Sequence, residues 1–390
     1  MKRFDLIIRN GHVVDPATGL TGNFDIGIKD GVVVAIEPTL PDIAHHVYDV
    51  DGGLVCPGLI DFHTHVYWGG AWGIKPDELG PRTGVTTFVD FGTAGPGNFP
   101  GFLEHVIYRS KSRILAFLHI AYTGLSGAIF EPKWLRIVGE LEDIRRALIG
   151  PAIEVAQRYP KVIRGIKVRA SIEATGSNGI HALMLAKQAS EVLGIPLAVH
   201  MGEPPLTSKE ILPYLDEGDI LTHSFRGLPN SLLDRRGKII SEALEARERG
   251  VVFDVGHGQS SFSFRVAAQL IEQGFLPDII SSDVHAYNIN GPVYDLPTTM
   301  SKFLALGLDV EYVIRATTYM PAKVLSLENE LGSLQVGRVA DVTVLKLEEG
   351  NFPFYDAYEE QLSSRYRFVP VMTFRAGQLL WYDKRFLVKS

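Results

Sequence analysis

The segment PGLIDFHTH, at residues 57–65, is an apolar run that ends in two histidines one residue apart. The apolar side chains predict a buried strand, and because side chains alternate along a strand, His63 and His65 lie on one face. Two imidazoles on one face provide half of a divalent-metal site. An open doubly wound sheet, the alternative architecture, favours a glycine-rich phosphate loop after its first strand, and no such loop follows here. The segment therefore indicates the first strand of a parallel barrel.

Apolar runs and helical patterns alternate along the rest of the central region. The helical patterns include residues 177–193 and 238–249, which are followed by Gly194 and Gly250, as helix ends prefer. Eight strands that alternate with helices over about 250 residues predict an α/β fold with a (β/α)8 TIM barrel. The predicted strands are residues 58–66, 86–92, 114–122, 163–170, 196–201, 220–224, 251–256 and 279–283.

Both ends of the sequence predict β-structure. Three dipeptides, Asn10-Gly11, Asp30-Gly31 and Ala376-Gly377, separate short apolar runs, a pattern typical of β-hairpins. A short hairpin is only marginally stable alone, so we expect the two ends to pair as one small β-sandwich domain. The predicted domains are a sandwich from residues 1–55 and 330–390 and a barrel from residues 56–329.

Length and composition narrow the possible classes of protein. The 390 residues have 46% hydrophobic and 21% charged side chains and a net charge of −7, values typical of a folded protein. The lack of a basic run argues against nucleic-acid binding, and no apolar stretch reaches the roughly 18–20 residues of a membrane span. The one cysteine, Cys56, cannot form an internal disulfide, and the N-terminus lacks the features of a signal peptide. We therefore expect a cytoplasmic protein without nucleic-acid or membrane partners.

Four further side chains that can bind metals lie at or near the ends of predicted strands, where barrel enzymes hold their catalytic groups. Each has an ordinary alternative when taken alone: an interior ion pair for Lys167, a structural role for each histidine, and a turn or helix cap for Asp283. Together they are better explained by a single metal site at the barrel mouth. The predicted ligands are His63, His65, Lys167, His200, His223 and Asp283.

Lys167 offers chemistry beyond that of an ordinary ligand. Lys167 and Arg169 share one face of their predicted strand and point into the barrel, where a charged amine is costly unless it is paired. Burial lowers the pKa of an amine and so favours its neutral form. The neutral amine can take up carbon dioxide and form a carbamate, whose two oxygens can bridge two metals.

The segment at residues 57–65, the four further ligands and the segment at residues 332–341 resemble the amidohydrolase superfamily. The similar branch is the binuclear-metal one that includes dihydroorotases, hydantoinases and urease, and the resemblance extends over essentially the whole chain. Segments 165–169, 200–205 and 254–258 are most similar to the deacetylase group, whose members are often labelled dihydroorotases or amidohydrolases.

The resemblance implies two divalent metal ions, and a histidine-rich site favours Zn²⁺. Water between two such ions has its pKa lowered towards about 7, so hydroxide becomes available to attack an acyl C–N or ester C–O bond. In such a mechanism, we expect Asp283 to move the proton from the attacking oxygen to the leaving group. The resemblance assigns His63, His65 and Asp283 to one ion, His200 and His223 to the other, and carboxylated Lys167 as the bridge.

Two residues are candidates for binding substrate. The planar guanidinium of Arg169 matches a carboxylate, although an ion pair with a loop acid such as Glu203 is the alternative. His257 lies in a glycine-flanked loop that leaves room for a ligand. We therefore expect a small-molecule, carboxylate-bearing substrate, from which a metal-dependent deacetylase removes an N-acetyl or O-acetyl group.

Two other functions stay open at this point. A cyclic amidase such as a dihydroorotase or hydantoinase would use the same metal centre on a ring amide. A metal-free scaffold similar to the dihydropyrimidinase-related proteins would lack the metal ligands, whereas all six are present here. Apolar helix faces are compatible with a homo-oligomer.

Overall fold

A computed structural model of the chain describes residues 4–41, 43–70, 72–128 and 138–386. The two chain ends form one mixed sheet of eight strands: β1 (Phe4–Asp15), β2 (Leu20–Lys29), β3 (Val32–Glu37), β4 (Ala44–Asp49), β5 (Leu54–Pro57), β13 (Val342–Tyr355), β14 (Gln361–Arg375) and β15 (Gln378–Tyr382). Strand β5 joins the ends, because it pairs in parallel with β1 and antiparallel with β13, where Cys56 lies opposite Thr343. The predicted β-structure from both ends is confirmed, while the domain bounds at residues 55 and 330 stay a prediction.

Two of the three predicted hairpins are confirmed and one is wrong. Asp30-Gly31 joins β2 to β3, and Ala376-Gly377 joins β14 to β15. Asn10-Gly11 instead lies inside β1, where the register with β2 shifts after Ile8. Asn10 uses its positive φ of 55° in this β-bulge rather than in a turn. The first half of β1 therefore pairs with β4 and its second half with β5.

The middle of the chain forms a second sheet of seven parallel strands in sequence order: β6 (Leu59–Thr64), β7 (Val85–Phe91), β8 (Arg113–His119), β9 (Ile163–Arg169), β10 (Leu197–His200), β11 (Ile220–Thr222) and β12 (Val252–Asp254). Almost every side chain on these strands is buried, as parallel strands covered by helices require. The ring of Phe91 contacts Phe62 and Phe117 and also stacks on His63, at a centroid distance of 4.3 Å. The stacking on Phe91 holds the ring of His63, the first of the predicted ligands, in place.

An irregular segment at residues 279–284 closes the barrel between β12 and β6. It makes single bridges from Ile279 to Asp254 and from Val284 to Thr64. The backbone N–H of Asp283 also donates to the carbonyl of His63 at 2.7 Å. The predicted eighth strand is therefore present as this closing segment, without the regular ladder of the other seven. The predicted α/β barrel fold is confirmed.

Helices connect the strands and cover the outside of the barrel. The α-helices in the described part of the chain are α1 (Pro76–Thr83), α2 (Phe99–His105), α3 (Ile149–Arg158), α4 (Ile172–Thr175), α5 (Gly179–Leu193), α6 (Ser208–Ile211), α7 (Ser241–Glu248), α8 (Phe264–Glu272), α9 (Leu296–Ala305), α10 (Val310–Thr317) and α11 (Tyr319–Val324). Helix α5 packs on β9 and ends at Gly194, where a positive φ of 63° suits glycine. No helix among these residues is long and apolar enough to cross a membrane.

The terminal sheet contacts the barrel where the barrel strands begin. The Thr343 hydroxyl donates to the carbonyl of Gly84, next to the start of β7, at 2.6 Å. Arg113, the first residue of β8, forms an ion pair with Asp341. Both contacts lie at the end of the barrel opposite to the predicted ligands. The turn between β13 and β14 contacts the ligand end as well, because the Tyr358 hydroxyl donates to the carbonyl of Ser260 at 3.3 Å.

Candidate metal centre

Three predicted ligands meet where β6 ends and the closing segment at residues 279–284 passes beside it. Asp283 Oδ1 lies 3.3 Å from His63 Nε2 and 3.2 Å from His65 Nε2. All three side chains are buried, and one ligand atom from each lies within 4.8 Å of the other two. Burial raises the pKa of Asp283 to about 7. The group has the composition and spacing of a metal-ligand set.

A hydroxyl and a carboxylate fix the orientation of the His63 ring. His63 Nδ1 lies 2.8 Å from the Thr222 hydroxyl, which itself donates to Asp254 at 2.6 Å. Because that hydroxyl has one proton, it accepts a hydrogen bond from Nδ1–H of His63. The Nε2 atom of His63 keeps its lone pair, the form in which imidazole binds a metal. Strands β11 and β12 thus orient a ligand that lies on β6.

The His65 ring is oriented in the same way by Asp90 on β7 and by Thr93, two residues after this strand ends. Its Nδ1 lies 2.8 Å from the Thr93 hydroxyl, which donates to Asp90 at 2.8 Å. Burial lowers the pKa of His65 to about 3, so the ring is neutral at physiological pH. Both histidines of the first strand therefore present an unprotonated Nε2 to Asp283.

His200 and His223 stand beside the first group of ligands, with ring centroids 4.4 Å apart. The His223 ring lies 5.1 Å from the His63 ring. Its Nδ1–H donates to the carbonyl of Gly256 at 2.7 Å, which again leaves Nε2 for a ligand. The predicted pair of histidines is therefore adjacent to the three-residue group.

Lys167 extends from β9 into the same cavity. Its Nζ atom is buried, lies 4.8 Å from the centroid of the Phe91 ring, and has no hydrogen-bond partner among the described residues. Burial lowers the pKa of Lys167 to about 7, so much of the amine is neutral near neutral pH. Gly92 leaves room for the lysine stem, since a Cβ there would lie 2.8 Å from Lys167 Cγ.

Three of the predicted ligands each have a buried atom without a hydrogen-bond partner in the described part of the chain. These atoms are Lys167 Nζ, His200 Nε2 and Asp283 Oδ1. An unsatisfied buried polar group costs about 1–3 kcal/mol, so three in one cavity are unusual. A cation would satisfy the imidazole nitrogen and the carboxylate oxygen directly, and the lysine after its conversion to a carbamate. The residues present therefore fit a bound metal group.

The two predicted substrate-binding residues have different surroundings, and Arg169 is the one that lines the cavity. Its Nε and Nη2 atoms donate to the carboxylate of Glu140 at 2.7 and 2.9 Å. The ion pair that was the alternative for Arg169 is thus present, but with Glu140. The prediction of Glu203 as the partner of Arg169 was wrong, because Glu203 forms its ion pair with Arg226.

His257 is not among the described residues that line the cavity. Its Nδ1–H donates to the carbonyl of Gly258 at 2.8 Å, and its Nε2 accepts a hydrogen bond from Lys302 Nζ at 2.7 Å. Both ring nitrogens are therefore used within the protein, and the predicted contact of His257 with substrate has no support in this placement. The buried His257 ring packs on Phe262 instead.

The ligands lie in a cavity of about 460 Å³, within the usual range for small-molecule sites. Aromatic rings form one part of its wall: Trp72 lies 4.4 Å from His285 and 5.5 Å from Tyr287, measured between ring centroids. Charged groups, including Arg169 and Glu173, form another part. The cavity can therefore hold a small molecule with both an apolar and a polar side.

Sequence reasoning missed the residues that orient the histidines. Asp90 and Asp254 each follow an apolar run in a predicted strand, the same signal that marked Asp283. Thr93 and Thr222 had no such signal, because a threonine at a strand end is common. Glu140 was also missed, since its partner on β9 is 29 residues away in the sequence.

Comparison with known proteins identifies the family of the chain. The sequence profile of the Amidohydrolase family matches residues 54–380 of the chain. A protein named deacetylase from Brucella anthropi is 40% identical over 332 residues, which cover 84% of this chain and 80% of that protein. A deacetylase from Enterococcus faecalis is 34% identical over 385 residues, which cover 97% of this chain and 99% of that protein.

Solved structures are similar over almost the whole length. The structure of an adenine deaminase has a TM-score of 0.89 and 33% identity, and the match covers 97% of this chain and 100% of that one. The structure of a dihydroorotase has a TM-score of 0.87 and 35% identity, with 96% and 98% covered. The chain belongs to the amidohydrolase family, and it is a hydrolase that acts on C–N bonds. The predicted superfamily is therefore confirmed.

Proposed function

We propose that the protein is a binuclear metal-dependent deacetylase that removes an N-acetyl or O-acetyl group from a small carboxylate-bearing compound. The observation that carries this proposal is the meeting of four histidines, Asp283 and the unpartnered Lys167 in one cavity. The names of relatives with 34% and 40% identity support a deacetylase among the possible amidohydrolases.

The proposed cations are two Zn²⁺ ions, which suit nitrogen and carboxylate ligands. When bound, they would lower the pKa of a water molecule and polarise the acyl carbonyl. Lys167 would contribute as a carbamate, which its buried and largely neutral amine can form. The proposed ligands are His63, His65 and Asp283 for one ion, His200 and His223 for the other, and Lys167 for both.

Asp283 is the proposed carrier of the proton between the attacking water and the leaving group. Its Oδ1 atom faces His63 and His65, whereas its Oδ2 atom faces Gly258. A Cβ at position 258 would lie 2.4 Å from Oδ2, so the glycine leaves this oxygen room. One oxygen can therefore act as a ligand while the other accepts and returns a proton.

Arg169 is the proposed contact for a substrate carboxylate. Glu140 holds two of its guanidinium nitrogens, and Nη1 makes no hydrogen bond to the described residues. The ion pair fixes the plane of the guanidinium and leaves this one nitrogen for a ligand in the cavity. Arg169 thus offers a single charge-assisted hydrogen bond rather than the two-pronged clamp that the sequence suggests.

A cyclic amidase is the second candidate, because a solved dihydroorotase is 35% identical to this chain with a TM-score of 0.87. The same ligands would then act on a ring amide. A metal-free scaffold has no support in the site, since all six predicted ligands are present and lie around one cavity. The cytoplasmic location and the homo-oligomer stay predictions.

The proposed function is tested by zinc analysis and a substrate screen on the wild-type enzyme. After loading with Zn²⁺ in bicarbonate buffer, we expect two ions per chain and release of acetate from acetylated amino or hydroxy acids. Each acid is compared with its amide, which has the same shape without the charge. A charge-assisted hydrogen bond predicts a kcat/KM about 10- to 100-fold higher for the acid.

Dihydroorotate, a hydantoin and adenine are the comparison substrates. Opening of a ring amide without release of acetate from any acetylated acid would replace the deacetylase by the cyclic amidase. Release of ammonia from adenine would point to a deaminase. A purified chain that holds no zinc after loading would contradict the metal-dependent function altogether.

A further inference from the structure

Glu173 places a carboxylate beside the second pair of histidines. It lies on the short helix α4, directly after β9, and lines the cavity. Its Oε1 atom is 3.4 Å from His200 Nε2. Both His200 Nε2 and Glu173 Oε2 are buried, and neither has a hydrogen-bond partner among the described residues. Two unsatisfied polar groups therefore face the same small volume.

The separation between Glu173 and His200 is that of two ligands on one cation. Ligand atoms about 2.1 Å from a tetrahedral Zn²⁺ ion lie about 3.4 Å from each other. Asp283 stands in the same relation to the first pair of histidines, at 3.3 and 3.2 Å. The distance from Glu173 to His200 matches this spacing and exceeds that of a good hydrogen bond.

No other partner in the described part of the chain accounts for the position of the Glu173 carboxylate. The two nearby arginines are engaged elsewhere, Arg169 by Glu140 and Arg226 by Glu203. Glu173 forms no ion pair within 4.0 Å with a lysine or arginine among the described residues, and its contact of this kind is the one with His200. The guanidinium of Arg169 attracts the Glu173 carboxylate over a longer distance, but it forms no ion pair with it, so the approach of Glu173 to His200 is left without a hydrogen bond or a salt bridge.

The backbone opposite Glu173 preserves this approach. Gly202 lies two residues after His200, and a Cβ there would be 2.7 Å from Glu173 Oε1 and 2.7 Å from His200 Nε2. The same Cβ would be 2.3 Å from Ser171 Cβ. Any other residue at position 202 would therefore force the carboxylate and the imidazole away from each other.

We propose that Glu173 supplies a carboxylate oxygen to the cation held by His200 and His223. This inference rests on the proposed two-cation function and adds a ligand that the sequence did not predict. With Glu173, the second ion would have two histidines and one acid, the same kinds of donor as His63, His65 and Asp283, which are the set whose ligand atoms lie within 4.8 Å of one another in the described part of the chain. The negative charge of the Glu173 carboxylate favours binding of a cation. The four-residue helix α4, which follows β9, holds the glutamate at the cavity.

The test compares Glu173→Gln with Glu203→Gln, a matched change of another cavity acid that is already paired with an arginine. Each enzyme is loaded with Zn²⁺ in bicarbonate buffer, and zinc per chain is followed during dialysis against a chelator. We expect Glu173→Gln to lose one of its two ions about 10- to 100-fold faster than the wild type. The Glu203→Gln variant should keep both. Loading with Co²⁺ should show a changed visible absorption band in Glu173→Gln alone.

The outcomes separate this inference from the proposed function. If the wild type holds two ions and Glu173→Gln releases them at the wild-type rate with an unchanged Co²⁺ spectrum, the ligand role of Glu173 is wrong. If the wild type itself takes up no zinc, the metal-dependent function fails first. Thermal unfolding of each variant checks its fold, and Glu173→Ala gives a second measurement should the glutamine variant misfold.

Discussion

Asp283 is the residue on which the proposed chemistry depends most. Asp283→Asn keeps the shape of the side chain and one oxygen but removes the group that can accept a proton. We expect kcat to fall about 10²- to 10⁴-fold, the usual contribution of a general acid–base group. Zinc per chain at saturating Zn²⁺ should fall much less, because the neutral amide oxygen remains a ligand, although it holds the ion less tightly than the carboxylate does. Steady-state kinetics and zinc per chain measure the two effects separately.

Asp278→Asn is the matched control for this change. Its carboxylate accepts a hydrogen bond from the backbone N–H of Phe253 at 2.8 Å, just before the closing segment of the barrel begins. We expect Asp278→Asn to keep the wild-type kcat. An Asp283→Asn enzyme with two zinc ions and an unchanged kcat would remove Asp283 as the proton carrier.

The sequence predicts single residues well where local geometry decides their position. His63 and His65 were predicted because two residues one apart on a strand share a face, and the structure brings both to Asp283. Arg169 was predicted to face the cavity, but its long-range partner Glu140 could not be predicted from local pattern. Glu173 gave no signal either, since a glutamate at the start of a short helix is ordinary.

The orientation of the proposed metal ligands depends on contacts between strands. Residues on β11 and β12 hold the ring of His63, which lies on β6. Thr222→Val keeps the shape of the side chain and removes the hydroxyl between His63 and Asp254. The imidazole then loses its fixed tautomer and orientation, so we expect zinc affinity to fall about 10- to 100-fold. Competition with a chromophoric chelator measures this change.

Thr86→Val is the control for the loss of a buried threonine hydroxyl. Thr86 lies on β7, and its hydroxyl makes a long 3.4 Å contact with the carbonyl of Leu59, remote from the histidines. This variant should bind zinc as the wild type does. Equal zinc affinity in Thr222→Val and in Thr86→Val would mean that β11 and β12 do not control the His63 ring.

How well a strand or turn could be predicted from the sequence depends on how regular that element is. The seven barrel strands were predicted because parallel strands buried on both faces leave apolar runs in the sequence. The eighth was predicted as a strand at residues 279–283, but the positive φ of 49° at Asp283 leaves only single bridges. Asn10-Gly11 was wrongly predicted as a turn, because a positive φ at Asn10 fits a hairpin turn and a β-bulge equally well. Only the pairing of β1 with both β4 and β5 distinguishes the two.

The proposed metal centre connects distant parts of the whole molecule, since its proposed ligands come from β6 and its end, β9, β10, the end of β11 and the closing segment. Ions that bind only the folded chain stabilise it by about 2.7 kcal/mol per site when their concentration is 100 times Kd. Removal of zinc by a chelator should therefore lower the unfolding temperature by about 5 °C or more. Calorimetry of loaded and chelated enzyme measures the shift.

The control for metal removal is a variant that lacks one ligand of the second proposed ion, the one assigned to His200 and His223. His223→Ala removes one ligand while it leaves His63, His65 and Asp283 in place. Its unfolding temperature should respond less to the chelator than that of the wild type. The stabilisation by zinc would be disproved by identical unfolding temperatures of the loaded and chelated wild-type enzyme.

The pairing of β5 with β13 also bears on how the chain folds during translation. Cys56 and Thr343, which meet in this pairing, are 287 residues apart. A ribosome that adds roughly 5–20 residues per second needs about 15–60 s to deliver the second strand after the first. Throughout this interval the exposed edge of β5 is open to pairing with another nascent chain. The yield of correctly folded protein should therefore depend on elongation speed and on chaperones that shield the early strands.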